Sequence, residues 1–151
     1  ELYDHPSFPL DDRVAKELVG YMPQGPNSKL LPMRTDGDGN CLLHAASLSM
    51  FGTHDRNSIL RSLLTQLLSD SSLSGLLEDV WKHDAIETDL QLKNFGIEMT
   101  RTDSTIKTEY DKNVEMASKD KEYLGSFHIL ALAHVVRRPI IVYGEEWVKD
   151  K

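Results

Sequence analysis

Apolar positions along this chain fall in blocks, and their spacing differs from block to block. After Cys41, the residues Leu42, Leu43, Ala45, Ala46, Leu48 and Met50 are so dense that a helix there is apolar all round. That pattern predicts a central, buried helix, stopped by Gly52. A second helix is predicted from about Asp55, with Ile59, Leu60, Leu63, Leu64, Leu67 and Leu68 recurring along one face. Residues 71–83 give a weaker helix with Leu73, Leu76, Leu77, Val80 and Trp81; residues 106–117 give another, presenting Ile106, Tyr110, Val114 and Ala117. Residues 84–104 mix charges without a steady period and receive no element.

Residues 127–136 form an apolar run of helical length. Arg137 and Arg138 follow it, where cations suit the negative end of a helix dipole, and Pro139 stops it. Ile140, Ile141, Val142 and Tyr143 then read as a buried strand. Toward the other end, Pro6 and Pro9 mark an extended lead-in, and Asp11 or Asp12 is placed to cap a short helix bearing Val14, Leu18 and Val19. Residues 20–29, with two prolines and two glycines, read as a loop. Helices around a few β-branched strands imply an α+β domain. A single domain over 1–151 is expected, with 1–29 as lead-in and helix and 30–151 as the core.

Composition adds exclusions. A net charge of -7 opposes the phosphate backbone of nucleic acid and favours encounter with basic surfaces. No apolar run approaches the roughly 20 residues that span a bilayer, so no membrane partner is expected. One cysteine precludes an intrachain disulfide, and the opening Glu-Leu-Tyr-Asp-His-Pro lacks the basic region of a signal peptide. These features predict a cytoplasmic protein, with the nucleus also open to it.

The chemistry gathers at residues 35–47, Thr-Asp-Gly-Asp-Gly-Asn-Cys-Leu-Leu-His-Ala-Ala-Ser. Cys41 stands where a glycine-bearing loop meets a helix start. Unpaired N–H groups and the positive dipole end there favour the thiolate, the nucleophilic form. Gly37 and Gly39 let the backbone turn successive N–H groups toward one point, as an oxyanion hole requires. Two plainer readings compete. Free cysteines are commonly buried as small apolar residues. Asp36, Asp38 and Asn40 also have the oxygen spacing of a calcium loop, but Cys41 stands where an EF-hand needs glycine and Ser47 where it needs glutamate.

The 35–47 segment resembles the catalytic-cysteine motif of the ovarian-tumour (OTU) deubiquitinases, most of all the branch of Cezanne and TRABID. Other motifs agree in order: Gly52, His54-Asp55-Arg56 before a Leu-Arg helix, Met116-Ala117-Ser118, Phe127-His128-Ile129, and 137–142, Arg-Arg-Pro-Ile-Ile-Val. The resemblance implies a papain-like fold, helices around a small central β-sheet, and Cys41 attacking the isopeptide carbonyl of ubiquitin or polyubiquitin. It implies an oxyanion hole from the backbone of Asp38, Gly39, Asn40 and Cys41. Asp38 would organise the loop, and Thr35 would orient the catalytic histidine, with Asp11 and Asp12 as alternatives. Neither cofactor nor metal is implied.

The family's catalytic histidine lies on a strand downstream of the Arg-Arg-Pro segment, and no histidine follows His134 here. The C-terminal part of the domain is therefore expected to be absent. His44 is taken as a structural position of the motif, His54 as a cap or surface residue, and His128 and His134 as core histidines. His83 and His5 show no partner pattern. The charged run 118–122 reads as a solvated loop. A catalytically inactive ubiquitin-binding module is the alternative function.

Overall fold

The computed structural model describes residues 33–98 and 101–142, together with Gly20, Met22 and Pro26. The expected N-terminal helix and its Asp11 and Asp12 lie outside these residues. Among the described residues five helices follow in order: α1 Cys41–Phe51, α2 Ile59–Ser69, α3 Ser71–Asn94, α4 Asp103–Ser118 and α5 Ser126–Val136.

Helix ends are fixed by local chemistry. The Asp55 carboxylate accepts the N–H groups of Ile59 and Leu60, each at 2.9 Å, and so starts α2. Asp70 ends α2 and starts α3, accepting the Ser72 N–H at 2.8 Å. Thr102 Oγ1 accepts the Thr105 N–H at the head of α4. Gly52 closes α1 in the left-handed region, φ 73°, returning its N–H to the Leu48 carbonyl.

α2 is the central helix, packed against α1, α3, α4 and α5. Its stripe of Leu60, Leu64 and Leu68 is buried, Leu64 completely. Burying one such leucine contributes roughly 2 kcal/mol. Leu77, Tyr110, Ala117, Phe127, Ala131 and Leu132 complete the core. Phe127 meets Trp81 and Tyr110 edge-on, with ring centroids 5.4 and 5.5 Å apart.

Three expectations are corrected. First, the described residues are helical and form no β-sheet, so the α+β arrangement around a small central sheet does not hold for them. Ile140, Ile141 and Val142 are non-helical but form no strand, and Ile141 and Val142 are exposed. β-Branched composition favours extension, yet a strand needs a neighbour for its backbone N–H and C=O groups. None is present among the described residues.

Second, α1 is not the central helix. Leu43, His44, Ser47 and Leu48 are buried, but Leu42, Ala46 and Met50 line an open groove of about 470 Å³ that Val136 and Ile140 also border. An all-round apolar pattern reveals that several faces are apolar, not which of them is covered. Third, α3 runs eleven residues past the predicted end at His83, to Asn94. Its apolar residues occupy opposite faces there, Ala85 buried and Ile86 and Leu90 exposed, which erases a single-faced period.

Candidate active site

The loop before α1 is held by its own side chains. Asp38 Oδ1 accepts the Asn40 N–H at 2.9 Å, and this bond is the main reason its carboxyl lies below the ordinary carboxylate range. Gly39 is left-handed, φ 89°, and a Cβ there would sit 1.8 Å from the carbonyl oxygen of Lys121. Both the conformation and the close approach demand glycine. Cys41 opens α1 and is partly exposed rather than a fully buried core residue.

Asn40 is the N-cap residue of α1, yet its side chain makes no capping bond. Its carboxamide points elsewhere: Oδ1 accepts from Arg61 Nε at 2.8 Å, and Nδ2 donates to Asp120 Oδ1 at 3.1 Å. The first-turn amides of an α-helix have no intrahelical acceptor. With the natural cap diverted, those of α1 remain available beside the sulfur. Of the four amides expected to form an oxyanion hole, that of Asn40 is engaged by Asp38. The others expected there belong to Asp38, Gly39 and Cys41.

Two histidines back this loop. His44 Nε2 lies 3.4 Å from both oxygens of Asp38. His54 Nδ1 lies 3.1 Å from Asp36 Oδ2, and the two imidazoles lie against each other with centroids 4.7 Å apart. His54 is thus buried within the site's support rather than a surface residue. The carboxylates that had calcium-loop spacing are turned toward these imidazoles.

The structure does not bring a histidine to the sulfur: Cys41 Sγ makes no hydrogen bond among the described residues. His128 is fully buried, with Nδ1 accepting the Gly125 N–H at 3.0 Å and Nε2 donating to the Asn113 carbonyl at 2.9 Å. Both ring nitrogens are used, which fixes the Nε2–H tautomer, and burial pushes its pKa down. His134 and His83 are exposed on α5 and α3, so His134 is not a core residue. Thr35 is half-buried ahead of the loop, and its side chain makes no hydrogen bond among the described residues.

Sequence reasoning noted the Leu-Arg helix and Met116-Ala117-Ser118 only as family motifs, and gave Arg61 and the 116–122 segment no part in the site. Arg61 is 4 % exposed, and burial lowers its pKa against the pull of Asp120, Asp38, Glu122 and Asp55. Its guanidinium donates to Asn40 Oδ1 and to the carbonyls of Gly39, Met116, Ala117, Lys119 and Glu122. The 118–122 side chains are exposed, as their charge suggested, but the carbonyls of Lys119 and Glu122 face inward. An arginine on an otherwise apolar helix face was the available signal.

Cys41 thus stands partly exposed at a helix start without a side-chain cap, behind a glycine-bent loop. The family model described as Vertnin, OTU domain, matches residues 32–146. Tumor necrosis factor alpha-induced protein 3 of Homo sapiens is 32% identical over 138 residues, covering 81% of this chain and 16% of that protein. Ubiquitin thioesterase trabid of Drosophila melanogaster is 30% identical over 160 residues, covering 99% of this chain and 19% of that protein. The chain thus spans less than a fifth of the length of these relatives. It belongs to the OTU family of deubiquitinases.

Proposed function

We propose that this domain hydrolyses ubiquitin conjugates, with Cys41 as the nucleophile. The Sγ thiolate attacks the carbonyl carbon at the ubiquitin C-terminus. An S–C bond forms as the C–N bond to the lysine breaks, and the amine leaves carrying the proton that the Cys41 thiol gave up. Water then cleaves the thioester, releasing the carboxylate and restoring the thiol. The amides of Cys41, Gly39 and Asp38 would receive the developing oxyanion, while the Asp38 carboxylate holds the loop through Asn40. Thr35, Asp11 and Asp12 remain the candidates for orienting an imidazole.

The observation that carries this reading is the diverted side chain of Asn40. A residue type that ordinarily caps a helix is turned away, and partly exposed Cys41 opens a helix that has no side-chain cap. A structural cysteine needs no such arrangement. Ubiquitin bearing a C-terminal electrophile tests it. The expected product is a single adduct, lost in Cys41→Ala; no adduct on the wild-type chain after prolonged incubation would sink the proposal.

One observation favours a second reading, a ubiquitin-binding module without turnover: no imidazole contacts Cys41 Sγ among the described residues. Polyubiquitin separates the two. Cleavage supports the enzyme, whereas retention of intact chains supports the module.

A further inference from the structure

The amides at the head of α1 stay uncapped only while Asn40 is held elsewhere, and Arg61 does most of the holding. Its Nε bond to Asn40 Oδ1, at 2.8 Å, takes the oxygen that would otherwise cap the Leu42 or Leu43 N–H. Nη2 also reaches the Gly39 carbonyl, at 3.4 Å. In a planar trans peptide the C=O and N–H point in opposite directions. Turning the Gly39 carbonyl toward Arg61 therefore turns the Asn40 N–H the other way, where Asp38 Oδ1 accepts it.

Arg61 is itself fixed on the other side. Nη2 donates to the Glu122 carbonyl at 2.9 Å, and Nη1 to the carbonyls of Met116, Ala117 and Lys119. The same turn receives the rest of the loop: Asp120 accepts from Asn40 Nδ2, and the Lys121 carbonyl abuts Gly39. The nucleophile loop is thus docked on the 116–122 turn through one buried cation.

We propose that Arg61 is a positioning residue for acyl transfer, holding the Asn40 carboxamide and the Gly39 carbonyl so that the loop amides of Asp38, Gly39 and Cys41 stay turned to receive an oxyanion. This rests on Cys41 being an acyl-transfer nucleophile. It does not require ubiquitin to be the substrate.

Two small reagents test it on the 151-residue chain, whose single cysteine simplifies the readout. p-Nitrophenyl acetate acylates Cys41 through a tetrahedral oxyanion and releases p-nitrophenolate, read as the burst absent from Cys41→Ala. Iodoacetamide alkylates the same sulfur by displacing iodide and develops no oxyanion. In Arg61→Gln, acylation should fall about 10- to 100-fold while alkylation stays within about threefold. A parallel fall in both reactions, or unchanged acylation, would overturn the proposal.

Should Arg61→Gln lose its helical circular dichroism, Asp120→Ala carries the test, since Asp120 is exposed and holds the other end of the Asn40 carboxamide. An acylation loss of about threefold with unchanged alkylation supports the role, and unchanged acylation overturns it. Neither reagent contains ubiquitin. A chain that acylates as expected but ignores the ubiquitin electrophile would sink the substrate reading and leave Arg61's role standing.

Discussion

Arg61 and Arg101 each join several elements through a fan of hydrogen bonds, but they are solvated in opposite ways. Arg101, 17 % exposed in its side chain, is neutralised by carboxylates: Asp89 on α3 accepts from Nη2 and Nε at 2.7 and 3.0 Å, and Glu109 on α4 accepts from Nη1 at 3.0 Å. Those bonds raise its pKa. Arg61 has no carboxylate in direct contact among the described residues. Carbonyl oxygens and one carboxamide surround it, and burial lowers its pKa. A carboxylate pair ties one side chain to another, whereas a cation solvated by carbonyls fixes the direction of peptide planes. The first arrangement holds helices together. The second shapes a loop, and it lies beside Cys41.

The sharpest break in this comparison is Arg61→Ala. It leaves Asn40 and several inward-facing carbonyls without their donor, and each unsatisfied buried group costs about 1–3 kcal/mol. A loss of about 3 kcal/mol or more is expected in urea unfolding. Arg101→Ala removes a mostly buried clamp and should cost about 1–2 kcal/mol, measured the same way, with the thiol chemistry of Cys41 unchanged. If the two variants prove equally destabilising and equally damaging at Cys41, the distinction fails.

Acid sharpens it further. The bonds from Arg101 hold the Asp89 carboxyl below its ordinary value. Folding therefore favours the ionised form. The stability gained is present above the unfolded value of about 4 and is lost as pH falls through the lower folded value. Asp89→Asn should flatten the fall in melting temperature between neutral and strongly acidic pH; an unchanged acid limb would count against the clamp. The smallest effect is expected at Lys107, about half exposed between Glu78 and Asp111 at 2.8 Å each. Solvent screening limits Lys107→Ala to about 0.5 kcal/mol or less, and that small loss should shrink further in high salt.

The legible parts of the molecule share a cause. α2 follows its leucine stripe, and α5 follows an apolar run of helical length before Pro139, because apolar residues recur over the whole of each; Leu60, Leu64 and Leu68 are buried, while Ile59 and Leu63 of α2 and Leu130 of α5 are exposed. The second half of α3 was illegible because Ile86 and Leu90 are exposed opposite Ala85. Near the site, the glycine-rich loop, the helix start and Cys41 could be read directly, since they are adjacent in sequence. The contacts of Asn40 with Arg61 and Asp120 could not, being 21 and 80 residues apart.

By itself the sequence determined that a lone cysteine would begin a helix behind a glycine-bent loop, and its ordered motifs determined the family. Only the tertiary structure decided that α2 would be central, that the described residues would form no sheet, and that a distant turn and a buried arginine would support the loop before Cys41. Periodicity and capping act over a few residues and leave a trace in the chain. Which apolar face is covered, and which carbonyls a buried cation finds, depends on segments that meet only after the helices have packed.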